Sequence, residues 1–283
     1  MLNGERDVAE SYFFARPRNR RCAAVCPSGW QYGVVVTPLR PGWLTSRPIA
    51  HRGLHDLAAG RPENSLAAFE AAADAGYPCE LDVQLTDSGE LIVLHDADLT
   101  RVTGAARPSS TLTGGDLPRT RLFGGDQHVP TLAQVLERVD ERIPLLIELK
   151  LGATADRRAL VRGVLENLGN RNGQYALCSF DPGLLRFLRA ERAGYPVGQI
   201  SGLLKNAGPL RRLAGRTMAG NFLTHPDFIS YELAGLPSRI VDMWRGRGMP
   251  VLAWTVKSAD DERKARKYAD NFIFDVLPKG SGH

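Results

Sequence analysis

Apolar residues along this chain fall into two alternating patterns. Short runs rich in aliphatic and β-branched residues read as strands: Arg47–His51, Cys79–Thr86, Leu91–His95, Pro144–Leu149, Tyr175–Phe180, Val197–Ile200, Phe228–Tyr231, Val251–Val256 and Asn271–Phe274. Between them lie segments with helical spacing. Asn64 or Ser65 can cap a helix through Ala75, with Leu66, Phe69, Ala72 and Ala73 on one face and Gly76 as terminator. Thr131 can cap Leu132–Val139, whose apolar positions Leu132, Val135, Leu136 and Val139 form a stripe. Ala155–Leu168, Pro182–Arg192, Pro237–Arg247 and Ala259–Tyr268 continue the helical series.

Strands alternating with helices imply a mostly parallel sheet. Chemically interesting residues stand at the ends of at least three strands, which suits the mouth of a closed barrel better than the single crevice of an open sheet. The expectation is a (β/α)8 TIM barrel, slightly irregular. Nine candidate strands compete for eight places. The link from Asp82 to Leu91 is also too short for a helical crossover. One crossover helix is therefore expected to be missing between the second and third strands, with residues 84–90 as an extended turn around Asp87-Ser88-Gly89. Residues 97–129 are a Gly/Pro/Thr-rich excursion. Residues 1–43 are set apart as an N-terminal extension, expected to be disordered, and 44–283 as the barrel domain.

Bulk properties narrow the class. The 283 residues, 43% of them hydrophobic, suffice for one barrel of the usual size. A net charge of +5 implicates neither nucleic acid nor membrane by itself. The basic run Arg16-Pro17-Arg18-Asn19-Arg20-Arg21 could touch nucleic acid or anionic lipid, but a disordered extension is the favoured reading, and no nucleic-acid partner is expected. Cys22, Cys26, Cys79 and Cys178 are too scattered for a disulfide framework, and no second Cys/His pair completes a zinc site with Cys22 and Cys26. No apolar run is long enough for a transmembrane helix, so no stable membrane insertion is expected. Glu5, Arg6, Asp7 and Glu10 stand where a signal peptide needs an apolar core, so the expected location is cytoplasmic.

Side chains two apart on a strand share a face, so Glu80 and Asp82 point together, as do Glu148 and Lys150, while Leu81 and Leu149 point the other way. Buried acids need a counter-charge. For Glu80 and Asp82 alone, salt bridges and a cation are equal alternatives. Adding Glu148 favours one divalent cation, Mg2+ or Ca2+ with Mn2+ also allowed, since carboxylates are hard oxygen ligands. His51 and His95, each at a strand end, can serve together as general acid and base. Arg52 offers a bidentate fork for phosphate and Lys150 a point charge. Glu63 either orients His51 or Arg52 or caps the following helix. Trp254 is either a core aromatic or an apolar wall for a small polyol. His55, His128, His225 and His283 have no comparable company and read as structural or solvated.

His51-Arg52-Gly53, Pro62-Glu63-Asn64-Ser65, Glu80-Leu81-Asp82-Val83, His95-Asp96, Thr103-Gly104, Pro130-Thr131-Leu132, Glu148-Leu149-Lys150, Ser179-Phe180 and Trp254-Thr255-Val256 together resemble the ordered motifs of the glycerophosphodiester phosphodiesterase family, over roughly residues 44–278. The resemblance implies a metal-dependent barrel that hydrolyses glycerophosphodiesters to sn-glycerol 3-phosphate and an alcohol. It implies Glu80, Asp82 and Glu148 as metal ligands, His51 and His95 as the acid/base pair, Arg52 and Lys150 as phosphate holders, and Trp254 on the glycerol side. The nucleophile would be water or the glycerol 2-hydroxyl. Phe274-Asp275-Val276-Leu277-Pro278 matches the family's ending only loosely, which puts a ligand role for that end in doubt. A lysophospholipid or other phosphodiester substrate ranks second, because no stretch reads as lipid-binding. A non-catalytic phosphate-binding barrel is disfavoured by the paired histidines.

Overall fold

A computed structural model of the chain describes residues 39–152, 156–169, 171–191, 194–205 and 208–275. The basic run, Cys22 and Cys26 lie outside the described residues. Nine strands are present: β1 (Ile49–Ala50), β2 (Cys79–Leu85), β3 (Leu91–Val93), β4 (Leu145–Leu149), β5 (Tyr175–Ser179), β6 (Val197–Ser201), β7 (Phe228–Glu232), β8 (Val251–Val256) and β9 (Asn271–Phe274). Parallel pairing runs β1–β2–β4–β5–β6–β7–β8–β9 and returns to β1, which closes an eight-stranded barrel.

β3 is not a stave. It turns back and pairs antiparallel with β2, Val83 opposite Val93 and Leu85 opposite Leu91. The ninth candidate strand is thereby placed. No helix lies between the second and third strands, as expected, but the cause is a hairpin rather than a shortened crossover. The true crossover from β2 to β4 carries the excursion and a helix.

The helices are α1 (Trp43–Ser46), α2 (Leu66–Asp74), α3 (Thr100–Thr103), α4 (Leu132–Val139), α5 (Arg157–Leu168), α6 (Pro182–Ala190), α7 (Pro209–Thr217), α8 (Asn221–Thr224), α9 (Arg239–Gly246) and α10 (Ala259–Tyr268). Ser65 caps α2, its hydroxyl accepting from the Ala68 amide at 3.2 Å. Thr131 and Gln134 form a reciprocal capping box on α4. The sequence pattern assigned no element to α7 or α8, because neither segment has a stripe long enough to read as helical.

Strand alternation sorts the core into two layers. Ile49, Leu146, Ala176, Cys178, Ile200, Phe228, Leu252 and Ile273 fill the barrel interior, with Leu44 of α1 joining them. The side chain of Asn271 donates to the carbonyls of Leu44 (2.8 Å) and Arg47 (2.7 Å), tying that end. Leu81, Val83, Ile147 and Leu149 point outward and pack with the helices. Gly198 makes room for a filler of the interior, since a Cβ there would lie 2.2 Å from the Phe228 ring. Leu94, Leu99, Val102, Leu112, Leu117, Leu122 and Val129 give the excursion a small core of its own. It is therefore a folded appendage over the mouth strands β2 and β3. Among the described residues, no helix is long and apolar enough to cross a membrane.

Candidate functional site

β2 brings Glu80 and Asp82, and the carboxyl end of β4 brings Glu148, inward beside the loop that follows β1. One oxygen from each of the three acids lies within 4.8 Å of the others. Two ligands on opposite sides of an ion at about 2.4 Å are about 4.8 Å apart, so one cation can reach all three. Without one the trio is poorly balanced. At an effective dielectric of about 20, each pair of like charges at this spacing repels by about 3 kcal/mol, more than one hydrogen bond returns.

Two cations answer three anions. Lys150 Nζ lies 2.7 Å from Glu148 and 3.2 Å from Asp82, and Arg52 Nε lies 3.3 Å from Asp82. The imbalance falls on Glu80, whose carboxyl is pushed well above the usual range by burial and then by Asp82 and Glu148. Burial also raises Glu148, against the pull of Lys150. Burial disfavours charge on Asp82 too, yet Lys150 and Arg52 outweigh it and hold that carboxyl low. Asp82 Oδ1 is buried and has Lys150 Nζ 3.2 Å away. A negative surplus and an all-oxygen donor set fit a hard divalent cation at this point.

Arg52 is held in place from several directions. Its backbone is left-handed, at φ 55°, a conformation that costs a non-glycine residue about 1–3 kcal/mol. The Asn64 amide donates to its carbonyl at 2.9 Å, and its own amide donates to Glu80 at 3.1 Å. The next residue, Gly53, lets the loop lie on the start of α2; a Cβ there would sit 2.7 Å from the Ala68 backbone. Glu63 accepts from the Arg52 guanidinium at 2.6 Å. The open choice for Glu63 is thus resolved in geometry: it contacts Arg52, while Ser65 caps the helix. Asn64, weighed as a cap, instead donates to Asp82 at 2.9 Å.

Each histidine has a carboxylate on its Nδ1. Asp275 lies 2.5 Å from His51, and Asp96 lies 2.6 Å from His95. Such a partner holds the proton on Nδ1 and leaves Nε2 for the site; His51 Nε2 stands 3.9 Å from Glu80. His95 is held below the ordinary imidazole value, first by burial and then by Lys150, which favours its neutral form. Asp275 is held low by hydrogen bonds from His51 and His55 and by Lys257, which outweigh its burial. The doubtful chain end therefore contributes a histidine partner; Asp275 is not among the clustered acids. His55, expected to be structural or solvated, lies 3.6 Å from Asp275.

Arg101 of α3 escaped the sequence reading. Its Nε donates to Asp96 at 2.6 Å, and its two Nη atoms donate to Glu63 at 2.9 and 2.7 Å. One side chain of the excursion thus braces the partner of Arg52 and the partner of His95. Nothing in a single sequence marks it, because it lies far from Glu63 along the chain. Phe180, the residue after β5, and Trp254 of β8 meet edge to face with centroids 5.7 Å apart. The Trp254 Nε1 atom has no hydrogen-bond partner.

Two outcomes follow from this geometry. In EDTA, Glu80→Gln is expected to melt about 2–4 °C above the wild type, because it removes an uncompensated buried charge. Mg2+, Ca2+ or Mn2+ should then raise the melting temperature of the wild type and not of the variant; a variant less stable in EDTA would contradict the charge balance. Arg101→Met should lower kcat/KM by about 10–100-fold with little change in melting temperature, as loss of an outer-sphere brace does. Steady-state kinetics beside thermal melts would check this.

The model of the glycerophosphoryl diester phosphodiesterase family matches residues 51–276. A glycerophosphodiester phosphodiesterase of Caldanaerobacter subterraneus subsp. tengcongensis is 27% identical over 240 residues, 80% of this chain and 93% of that protein. The crystal structure of a glycerophosphodiester phosphodiesterase from Thermotoga maritima superimposes with a TM-score of 0.62 at 25% identity, covering 81% of this chain and 94% of that one. An Oleispira antarctica phosphodiesterase, solved in complex with the product sn-glycerol-3-phosphate, shares the fold with a TM-score of 0.68 at 20% identity, over 82% of this chain and 94% of that one. The match to the family model spans the barrel from its first histidine to the residue after Asp275, and the chain belongs to the glycerophosphoryl diester phosphodiesterase family.

Proposed function

We propose that this protein hydrolyses glycerophosphodiesters to sn-glycerol 3-phosphate and an alcohol, with Glu80, Asp82 and Glu148 holding one divalent cation. The observation that carries the reading is the joining of an undercompensated acidic trio to two carboxylate-braced histidines and two phosphate-seeking cations in one mouth. When bound, the cation would polarise the phosphoryl oxygens.

The chain's own residues supply the rest. Arg52 and Lys150 border the trio and meet the charge carried by the phosphoryl oxygens in the transition state; both are oriented beforehand by acids, so little reorganisation is needed. His95, favoured as neutral imidazole, takes a proton at Nε2 from the nucleophile, either water or the glycerol 2-hydroxyl; in the latter case water then opens the cyclic phosphate. His51, steadied by Asp275, returns a proton to the departing alkoxide. Phe180 and Trp254 offer an apolar wall to the carbon skeleton of glycerol. The product found in the Oleispira relative supports glycerol 3-phosphate as the half retained at the site. The buried free thiols of Cys79 and Cys178 agree with a cytoplasmic location.

Incubation with glycerophosphocholine or glycerophosphoethanolamine should release sn-glycerol 3-phosphate with Mg2+, Ca2+ or Mn2+ and stop in EDTA. His51→Ala and His95→Ala should each lower turnover by about 10²–10⁴-fold; near-normal turnover in either variant would refute the acid/base pair. The acid limb of the kcat/KM profile has a defined direction. A base whose pKa is depressed stays active until pH falls through that lowered value, so the midpoint should lie below 6.5. A midpoint at or above that value would contradict the role given to His95.

A further inference from the structure

A crossover helix of a barrel ordinarily buries an apolar stripe against the sheet. α7 does not. Its contact with the barrel is made by Gly215, whose carbonyl accepts from Ser201 at the mouth end of β6 at 2.7 Å. A Cβ at Gly215 would lie 2.6 Å from Leu204, so that approach is close. The other described side chains of α7 are exposed. Leu210 and Leu213, three apart on one face, are 82% and 60% exposed. In the same crossover, Phe222 and Leu223 of α8 are 63% and 72% exposed. Four of the seven large exposed hydrophobic residues among those described thus come from the single connection between β6 and β7.

The charge on this connection is of one sign. Residues 203–225 contain Lys205, Arg211, Arg212 and Arg216 and no acid. Lys205, Arg212 and Arg216 are exposed beside the leucines. Bulky apolar side chains with arginines and without acids are what an anionic lipid surface attracts: the apolar groups enter the headgroup boundary and the cations stay with the lipid phosphates. A second copy of this chain would set the same arginines against each other across a two-fold contact.

We propose that the α7–α8 connection is a peripheral docking surface for anionic phospholipid membrane. It lies flat at the interface without insertion, and Ser201 ties it to the mouth, so the catalytic opening is held beside the lipid. The surface goes beyond the hydrolytic reading and stands or falls separately from it. Sedimentation of the full chain with phosphatidylcholine vesicles, with and without phosphatidylglycerol, tests it. Binding is expected to the phosphatidylglycerol vesicles only, and to weaken with salt. Leu210→Glu/Leu213→Glu should lower that binding about tenfold or more. Arg212→Glu/Arg216→Glu should do the same, and both variants should keep the wild-type melting temperature because the substituted side chains are exposed. The proposal is overturned if the wild type ignores phosphatidylglycerol. It is overturned equally if the folded variants bind as the wild type does, which would assign binding to another segment. A wild-type dimer that the leucine variants convert to monomer would give the face to a second copy instead.

Discussion

Repulsion among Glu80, Asp82 and Glu148 is the constraint that the rest of the mouth answers. The barrel brings three carboxylates to one point because β2 and β4 are neighbours in register, with Asp82 directly opposite Glu148. Lys150 and Arg52 offset part of the charge, and Asn64 fixes one oxygen of Asp82. Negative charge remains over. That surplus is what a divalent cation at the trio would offset.

The excursion between β3 and β4 is folded around apolar residues of its own. Its small apolar core fixes α3, and α3 carries Arg101. Arg101 then joins Glu63 to Asp96, so the Arg52 guanidinium and the imidazole of His95 share one brace. At the opposite end of the chain, Asp275 follows β9 and steadies His51, whose own amide pairs with Phe274. Closing the barrel and positioning the first histidine are therefore one event.

Much of this was legible from residues alone. Period-two faces predict that Glu80 with Asp82, and Glu148 with Lys150, look into the barrel, and they do. The strand pattern locates the staves within a few residues. Other parts depend on relations a single sequence does not display. Leu91–Val93 has the composition of a stave, and only pairing direction tells a hairpin from a crossover. Asp275, Asp96 and Arg101 act through partners: two of these contacts, His51 with Asp275 and Glu63 with Arg101, join residues distant in the chain, while Asp96 stands beside His95 within a motif that draws attention to the histidine. The exposed leucines of α7 were invisible for another reason: the segment has too short an apolar stripe to read as a helix, so no face could be assigned to Leu210 and Leu213.

Crystals grown with Mn2+ and glycerol 3-phosphate, measured at a wavelength where manganese scatters anomalously, would test the central claim most directly. The account predicts one peak, with an oxygen from each of Glu80, Asp82 and Glu148 within about 2.0–2.6 Å and the phosphate against Arg52 and Lys150. A mouth that binds the phosphate with no peak there, Lys150 still paired to Glu148 and Asp82, would contradict it.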